Sequence, residues 1–275
     1  MVIAVINNKG GVGKTTAAVN LSAALATSGR RVLLVDLDSQ ASASFWYGIS
    51  RRNLRPSSAN CLLERYPIRN AIRQTTTPQL DLLTGSVELA SADVVLCNLR
   101  GREIALRRVL EKVMGDYDFV LLDCPPSLSL LGVNALIASD LLLVPVVPEP
   151  LCAEALTDLF ASIDRVRTRL GAKTRIIGIL VMMIEPRRRN SRELVERLRA
   201  QYRDKVFLTE IRWTAALAEA PASRQHIFAS APRSSSADAF RRLAGEVLQR
   251  VAAETRASRF GVEKFRQRTR EAGRA

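Results

Sequence analysis

A chain of 275 residues with 47% hydrophobic content is long enough for one large buried core. Its net charge of +14 and pI near 10.6 point to a polyanionic partner, nucleic acid first and an anionic membrane second. Four cysteines without Cys-x-x-Cys spacing read as reduced cytosolic thiols, the lone His226 (read as a surface or packing residue) argues against a His-based metal site, and the longest apolar run, Leu141–Val147, is too short to span a membrane.

In chain order, the apolar run from Val2 predicts a strand over 2–7 with no basic region before it, so no signal peptide is expected. Asn7-Asn8-Lys9-Gly10-Gly11-Val12-Gly13-Lys14-Thr15-Thr16 follows, and then an apolar helix over 14–28. Strand, glycine-rich turn and helix are the setting of a phosphate-binding loop. The glycines let backbone N–H groups curl around an anion, and the helix N-terminus adds its dipole. Lys14 can reach β/γ-phosphates and the Thr15 hydroxyl can ligate Mg²⁺. Asn8 stands where such loops usually begin with Gly, and Lys9 adds a second lysine at the front. That lysine is oddly placed for its own nucleotide; it can point outward to phosphates on another subunit, or serve within its own.

Further strands are expected at 32–36, 80–83, 119–123, 141–146, 175–183 and about 205–208, with helices at 101–114, 130–138, 152–170, 190–202 and 236–254. The alternation predicts an α/β fold: a doubly wound, mainly parallel sheet with helices on both faces. The stretch 48–79 reads as loops and short helices over one edge. Residues 1–150 carry 15 Lys/Arg against 13 Asp/Glu, and residues 151–275 carry 26 against 14, so the positive excess sits in the second half. The expected organisation is one domain over 1–254 and a basic tail over 255–275, partly helical or disordered.

Phosphoryl transfer needs positioning and charge neutralisation. Asp123 closes an apolar strand and can hold the Mg²⁺ shell with Thr15. Asp36 and Asp38 end the strand 32–36, at the carboxyl ends where ligands gather in such sheets; a helix N-cap or a salt bridge is the alternative for this pair. Glu185-Pro186-Arg187-Arg188-Arg189-Asn190-Ser191-Arg192 opens a helix, and arginines there suit phosphate contacts without base reading. Arg199 and Arg203 fall near the Arg192 face, while Arg241, Arg242, Arg250 and the tail can add to the surface.

Four ordered boxes carry a family resemblance over roughly residues 2–250. Lys9 to Thr16 resembles the deviant Walker A box of the ParA/MinD superfamily of P-loop ATPases. Val35-Asp36-Leu37-Asp38-Ser39-Gln40 resembles the second box, Val120 to Pro126 resembles Walker B, and Glu219-Ala220-Pro221 with Pro232-Arg233-Ser234 resembles the C-terminal segment. The resemblance implies ATP and Mg²⁺ as cofactors, held by Lys9, Gly10, Gly11, Val12, Gly13, Lys14, Thr15 and Thr16. It implies Asp38 as the carboxylate that orients the attacking water and Asp36 nearer the metal shell. Lys9 would cross a homodimer interface, so that ATP glues two subunits, and Lys9, Lys14 and Asp38 would be catalytic. Arg187 stands at the arginine of the family's Asp-x-Arg-x-Asn region, so non-specific DNA is implied, with Arg187, Arg188, Arg189, Arg192, Arg241 and Arg242 as its contacts. A stimulating partner of ParB type, or a cargo adaptor, is implied too, in the cytoplasm and on the nucleoid. The cargo would be a plasmid, a chromosome region or a protein assembly.

The chain also departs from the pattern. Ser39 replaces a usual Pro, Arg212-Trp213 replaces Pro-Arg near the adenine, and Ala216 falls where many relatives carry a DNA-binding arginine. Two alternatives stay open: a MinD-like membrane-surface ATPase, for which the apolar face of the tail is thin, and a nucleotide-gated adaptor without DNA affinity. With the first strand read from Val2, no N-terminal helix-turn-helix is expected, which argues against operator binding.

Overall fold

The structure is a computed structural model that describes residues 1–185 and 189–272, the side chains of 189–190 and 257–272 excepted. Eight strands form one sheet: β1 (Val2–Val5), β2 (Val32–Asp36), β3 (Arg73–Gln74), β4 (Leu80–Leu83), β5 (Phe119–Asp123), β6 (Leu141–Val146), β7 (Arg175–Ile184) and β8 (Val206–Arg212). Their order is β3-β4-β2-β5-β1-β6-β7-β8, and only β3 runs antiparallel to its neighbour. A parallel strand covered on both faces needs apolar side chains at nearly every position. Accordingly β2, β5 and β6 are buried along their whole length. Successive residues alternate between faces, so Val2, Ala4 and Ile6 enter one core layer while Ile3 and Val5 enter the other.

On one face lie α3 (Ser58–Leu63), α4 (Ile68–Ala71), α5 (Ala92–Cys97), α6 (Ala105–Leu110), α7 (Leu130–Ala138), α8 (Cys152–Leu170) and α9 (Arg189–Tyr202). On the other lie α1 (Lys14–Thr27), α2 (Ser42–Trp46), α10 (Ala215–Glu219), α11 (Ile227–Ser230) and α12 (Ser235–Ala272). Helix α1 is buried from Ala17 to Ala26, as a helix apolar on all sides must be. It emerges from the end of the central strand β1, flanked by β5 and β6.

The sheet ends at β8, which bulges between Val206 and Glu210 against β7. There the Glu246 carboxylate of α12 accepts the N–H groups of Leu208 and Thr209 at 2.8 and 3.0 Å. One turn later Arg250 donates to the carbonyls of Ile177 and Val206, pairs with Glu246 and stacks 4.2 Å from the Phe207 ring centroid.

The strands expected at 32–36, 80–83, 119–123 and 141–146 coincide with β2, β4, β5 and β6. Three expectations change. The helix expected over 101–114 is broken: a 3₁₀ turn over Arg102–Ile104, α6, then a 3₁₀ turn over Met114–Asp116. Gly101 at φ +68° bends the chain at one end, and the turn into β5 ends it at the other. Strand β8 runs to Arg212, beyond the expected 208. Helix α12 continues to Ala272, its backbone passing residues 254 and 255 without a break. His226 is a packing residue: Nε2 meets the Thr77 hydroxyl at 2.6 Å, and the ring lies beside Tyr47 and Phe228. Among the described residues no helix is long and apolar enough to cross a membrane.

Candidate nucleotide site at the strand carboxyl ends

The loop between β1 and α1 is pinned from within. Asn7 donates its side-chain amide to the Pro145 carbonyl at 2.7 Å, and its oxygen accepts the Lys9 N–H at 2.9 Å. Gly11 and Gly13 take φ of +74° and +84°, where a side chain would be strained. A Cβ on Gly13 would also stand 2.9 Å from Met182 Cε of β7. Helix α1 begins on Gly13 with no side-chain cap, so its first-turn N–H groups face the loop. Lys14 is buried, and its ammonium donates to the Lys9 carbonyl at 2.9 Å across the loop. Burial lowers the Lys14 pKa, and the nearby Asp123, Cys124 and Asp38 oppose that shift. A cation held this way gains by meeting an anion.

Asp123 stands in register with Val5 of β1 and with Asp36 of β2. Its carboxylate is fully buried, and neither oxygen has a hydrogen-bond partner among the described residues. Burial first, and then the charge of Asp36, push its pKa well up. Thr15 is close enough to oppose that rise, yet outside hydrogen-bonding geometry. A buried carboxylate with two free oxygens is costly unless something completes it. A hydrated divalent cation between Thr15 and Asp123 would do so, so these residues fit the Mg²⁺ of a nucleotide.

Asp36 is engaged differently. One oxygen accepts the Asp38 N–H at 3.1 Å; the other accepts the Ser44 N–H and hydroxyl at 2.9 and 2.7 Å. It therefore ties the first turn of α2 to the end of β2. Both oxygens of Asp36, the residue expected near the metal shell, are thus engaged, whereas the open ones belong to Asp123. Burial pushes the Asp36 pKa to about 6, with the Ser44 and Asp38 hydrogen bonds opposing. Asp38 is half-buried on the turn that follows, where one oxygen accepts the Gln40 N–H at 2.9 Å.

Two contributors escaped sequence reasoning. Gly85 follows β4, donates its N–H to the Ser44 hydroxyl, and would place a Cβ 2.8 Å from both the Asp36 carboxyl carbon and the Asp38 carbonyl. The available signal was a glycine closing the strand beside β2. Glu149, after β6, pairs with the Lys9 ammonium at 2.5 Å with both side chains about half exposed. Lys9 thus lies on the surface of the loop rather than inside it.

The arginines expected to meet DNA divide. Arg187 and Arg188 lie outside the described residues, as does the Arg189 side chain. Arg192 is exposed on α9 and lines a 210 Å³ cleft with Arg199, Glu210 and Arg212. Arg242 lines a second cleft of 320 Å³ that shares Glu210 and Arg212. Arg212 therefore lies between Arg192 and Arg242 along β8. Arg241 does not join them: it pairs with Asp238, donates to the Pro232 carbonyl and lies 5.2 Å from the Phe228 ring. Arg199 is paired with Glu210, and Arg250 is the staple described above, so neither offers a free charge.

Comparison with known proteins agrees with this geometry. An AAA domain family model matches residues 1–176. The sporulation initiation inhibitor protein Soj of Bacillus subtilis is 39% identical over 246 residues, covering 90% of this chain and 97% of Soj. The chromosome partitioning protein ParA of Caulobacter vibrioides is 37% identical, covering 90% and 94%. The crystal structure titled cobyrinic acid a,c-diamide synthase from Mycobacterium smegmatis, with bound ADP and magnesium, superposes with a TM-score of 0.80 at 32% identity, covering 92% and 96%. The glycine loop, the strand-end aspartates and this degree of identity together show that the chain belongs to the ParA/MinD superfamily of P-loop partition ATPases.

Proposed function

We propose that this chain binds ATP with Mg²⁺ in the loop from Lys9 to Thr16 and hydrolyses it slowly, with a ParB-type partner or a cargo adaptor accelerating the step. The observation that carries this reading is the buried Asp123 carboxylate with two unpartnered oxygens in front of Thr15 and Lys14. The bound ADP and magnesium of the Mycobacterium smegmatis structure support it. The nucleotide supplies a triphosphate whose terminal phosphoryl group is transferred to water. Lys14 and the first-turn N–H groups of α1 neutralise the phosphates. Thr15 and Asp123 hold the metal shell, and Asp38 orients the water while Asp36 and Ser44 hold the Asp38 turn.

Lys9, on the loop surface, reaches the phosphates of a second copy, so two subunits close only when both are loaded. Hydrolysis removes those contacts and releases the pair. In the ATP state the dimer binds DNA without sequence preference through Arg192, Arg212 and Arg242, together with the Arg187–Arg189 segment. Release at a partner then positions a plasmid, a chromosome region or a protein assembly. The site of action is the cytoplasm, on the nucleoid, with the 1–254 core as the ATPase and the basic 255–275 segment adding charge. The test is binding to non-specific duplex DNA with ATP, with ADP and without nucleotide, in the Asp38→Ala chain that holds the ATP state. A salt-sensitive gain with ATP alone is expected, and equal binding in all three states overturns it.

A second reading is a nucleotide-gated adaptor. Leu208 and Trp213 are 81% and 56% exposed beside Arg212, and apolar side chains there suit a protein surface. An ATP-gated dimer without DNA binding at moderate salt selects that reading.

A further inference from the structure

Away from the phosphate loop, α3, α4, α6 and the turn between α5 and α6 line a cavity of about 440 Å³, the size of a small-molecule site. Its wall is apolar: Leu62 and Ile68 are buried, Val109 is half-buried, and Leu99 and Tyr66 stand exposed at the mouth. The Cys61 thiol belongs to the same wall, and burial pushes its pKa to about 11, so it stays neutral.

Four cations ring this apolar space: Arg65, Arg100, Arg108 and Lys112. All four are exposed, and none has an ion-pair partner among the described residues. The reason is local and specific. The acidic residues of the neighbourhood are already engaged by other arginines: Glu64 by Arg55, Glu103 by Arg102, Glu111 by Arg107 and Asp116 by Arg69. The charge of the rim is therefore uncompensated. Arg108 is also oriented by the backbone. Its guanidinium lies against Gly101, where a Cβ would stand 3.0 Å from Nη2. The missing side chain at this left-handed bend leaves room for the guanidinium beside it.

We propose that this cavity binds a small anionic amphiphile, a molecule whose apolar body fills the pocket while a phosphate, sulfonate or carboxylate group meets the Arg100 and Arg108 side of the rim. The two requirements are separate. The apolar wall gains from burying hydrocarbon, and the unpaired guanidinium groups gain from a planar or tetrahedral anion. A cationic molecule of the same shape meets four like charges, and a bare anion leaves the wall empty. The site shares no residue with the phosphate loop, so it stands independently of the ATPase reading.

The test is calorimetric titration of the full chain, at one ionic strength, with three probes: octyl phosphate and octyltrimethylammonium, both below their micellar concentrations, and inorganic phosphate. Saturable one-to-one binding of octyl phosphate is expected, at least tenfold tighter than either other probe. Arg100→Glu with Arg108→Glu should weaken octyl phosphate at least tenfold. Arg30→Glu with Arg31→Glu, the same charge change on an exposed turn outside the cavity, should leave it within twofold. Leu99→Glu, a substitution at the half-exposed mouth, places a carboxylate against the incoming head group and gives the same loss if the double variant does not fold. Equal affinity for octyltrimethylammonium, unchanged binding in the cavity variants, or displacement of octyl phosphate by ADP each overturns the proposal, the last by moving the probe to the phosphate loop.

Discussion

Asp123 concentrates the tension of the site in one side chain. Its two bare oxygens cost the nucleotide-free chain stability, because a buried unpaired acceptor loses about 1–3 kcal/mol. Asp123→Asn should raise the melting temperature of the nucleotide-free protein and abolish the further rise that ATP with Mg²⁺ gives; an unchanged ATP-dependent rise would remove Asp123 from the metal shell. The acid dependence follows from the raised pKa values. A carboxyl whose folded pKa lies above its ordinary value stabilises the fold below that ordinary value and loses the contribution as pH rises through the folded one. For Asp36 that window runs from about 3.8 to about 6, so the stability of the nucleotide-free chain should fall across it in chemical denaturation at constant salt. Gly85→Ala tests the Asp38 turn. Its Cβ meets the Asp36 carboxyl and backbone, and overpacking of this kind costs about 1–3 kcal/mol. Turnover should fall more than ATP affinity in that variant, since Gly85 packs against Asp36 and the Asp38 turn and is not part of the loop from Lys9 to Thr16.

At the scale of elements, the loop and the sheet explain what was legible. Strands β2, β5 and β6 were read to the residue because a strand covered on both faces is a short apolar run with clear ends. Strand β8 was read short because Leu208, Glu210 and Arg212 alternate outward, and polar residues on an outer strand look like a loop. Helix α2 lacks a local start signal: Ala41 before it stands at φ +53°, and the hydrogen bonds that hold its first turn come from Asp36 on a strand. The phosphate loop could be read because its backbone requirement fixes residue types at fixed spacing. The Lys9–Glu149 pair could not, since its partners lie 140 positions apart. That pair yields a test of the dimer. Lys9→Ala should abolish ATP-dependent dimers and leave the monomer folded, as sedimentation and circular dichroism will report. Glu149→Gln should favour dimers slightly, because an exposed ion pair is worth only about 0–1 kcal/mol. Dimers that persist in Lys9→Ala overturn the proposed sandwich.

For the whole molecule, the excess charge is distributed differently from its appearance in sequence. Several arginines of the basic half are consumed internally: Arg199 by Glu210, Arg241 by Asp238 and Phe228, Arg250 by the sheet. Arg192, Arg212 and Arg242 remain exposed along β8. If these contact phosphates, Arg192→Ala with Arg242→Ala should lower the slope of log affinity against log salt by about 2, each contact contributing about 0.9. Arg241→Ala should leave the slope unchanged and cost stability instead. A slope that ignores the first pair and responds to Arg241 would reverse this assignment. Charge counting alone treats all of these arginines alike; only the fold separates structural cations from available ones.

The Glu246 carboxylate has a consequence for colloidal behaviour. It occupies two amides of the outermost strand at a bulge where β7 does not pair with them regularly. Unpaired amides on an outer strand are a template for another chain. Burial works against ionisation of Glu246, yet those two amides and Arg250 hold its carboxyl below the usual range, so the cover persists into mildly acidic solution. The α12 carboxylate therefore acts as a guard against intermolecular sheet growth, and Glu246→Ala should show itself first as concentration-dependent turbidity on storage.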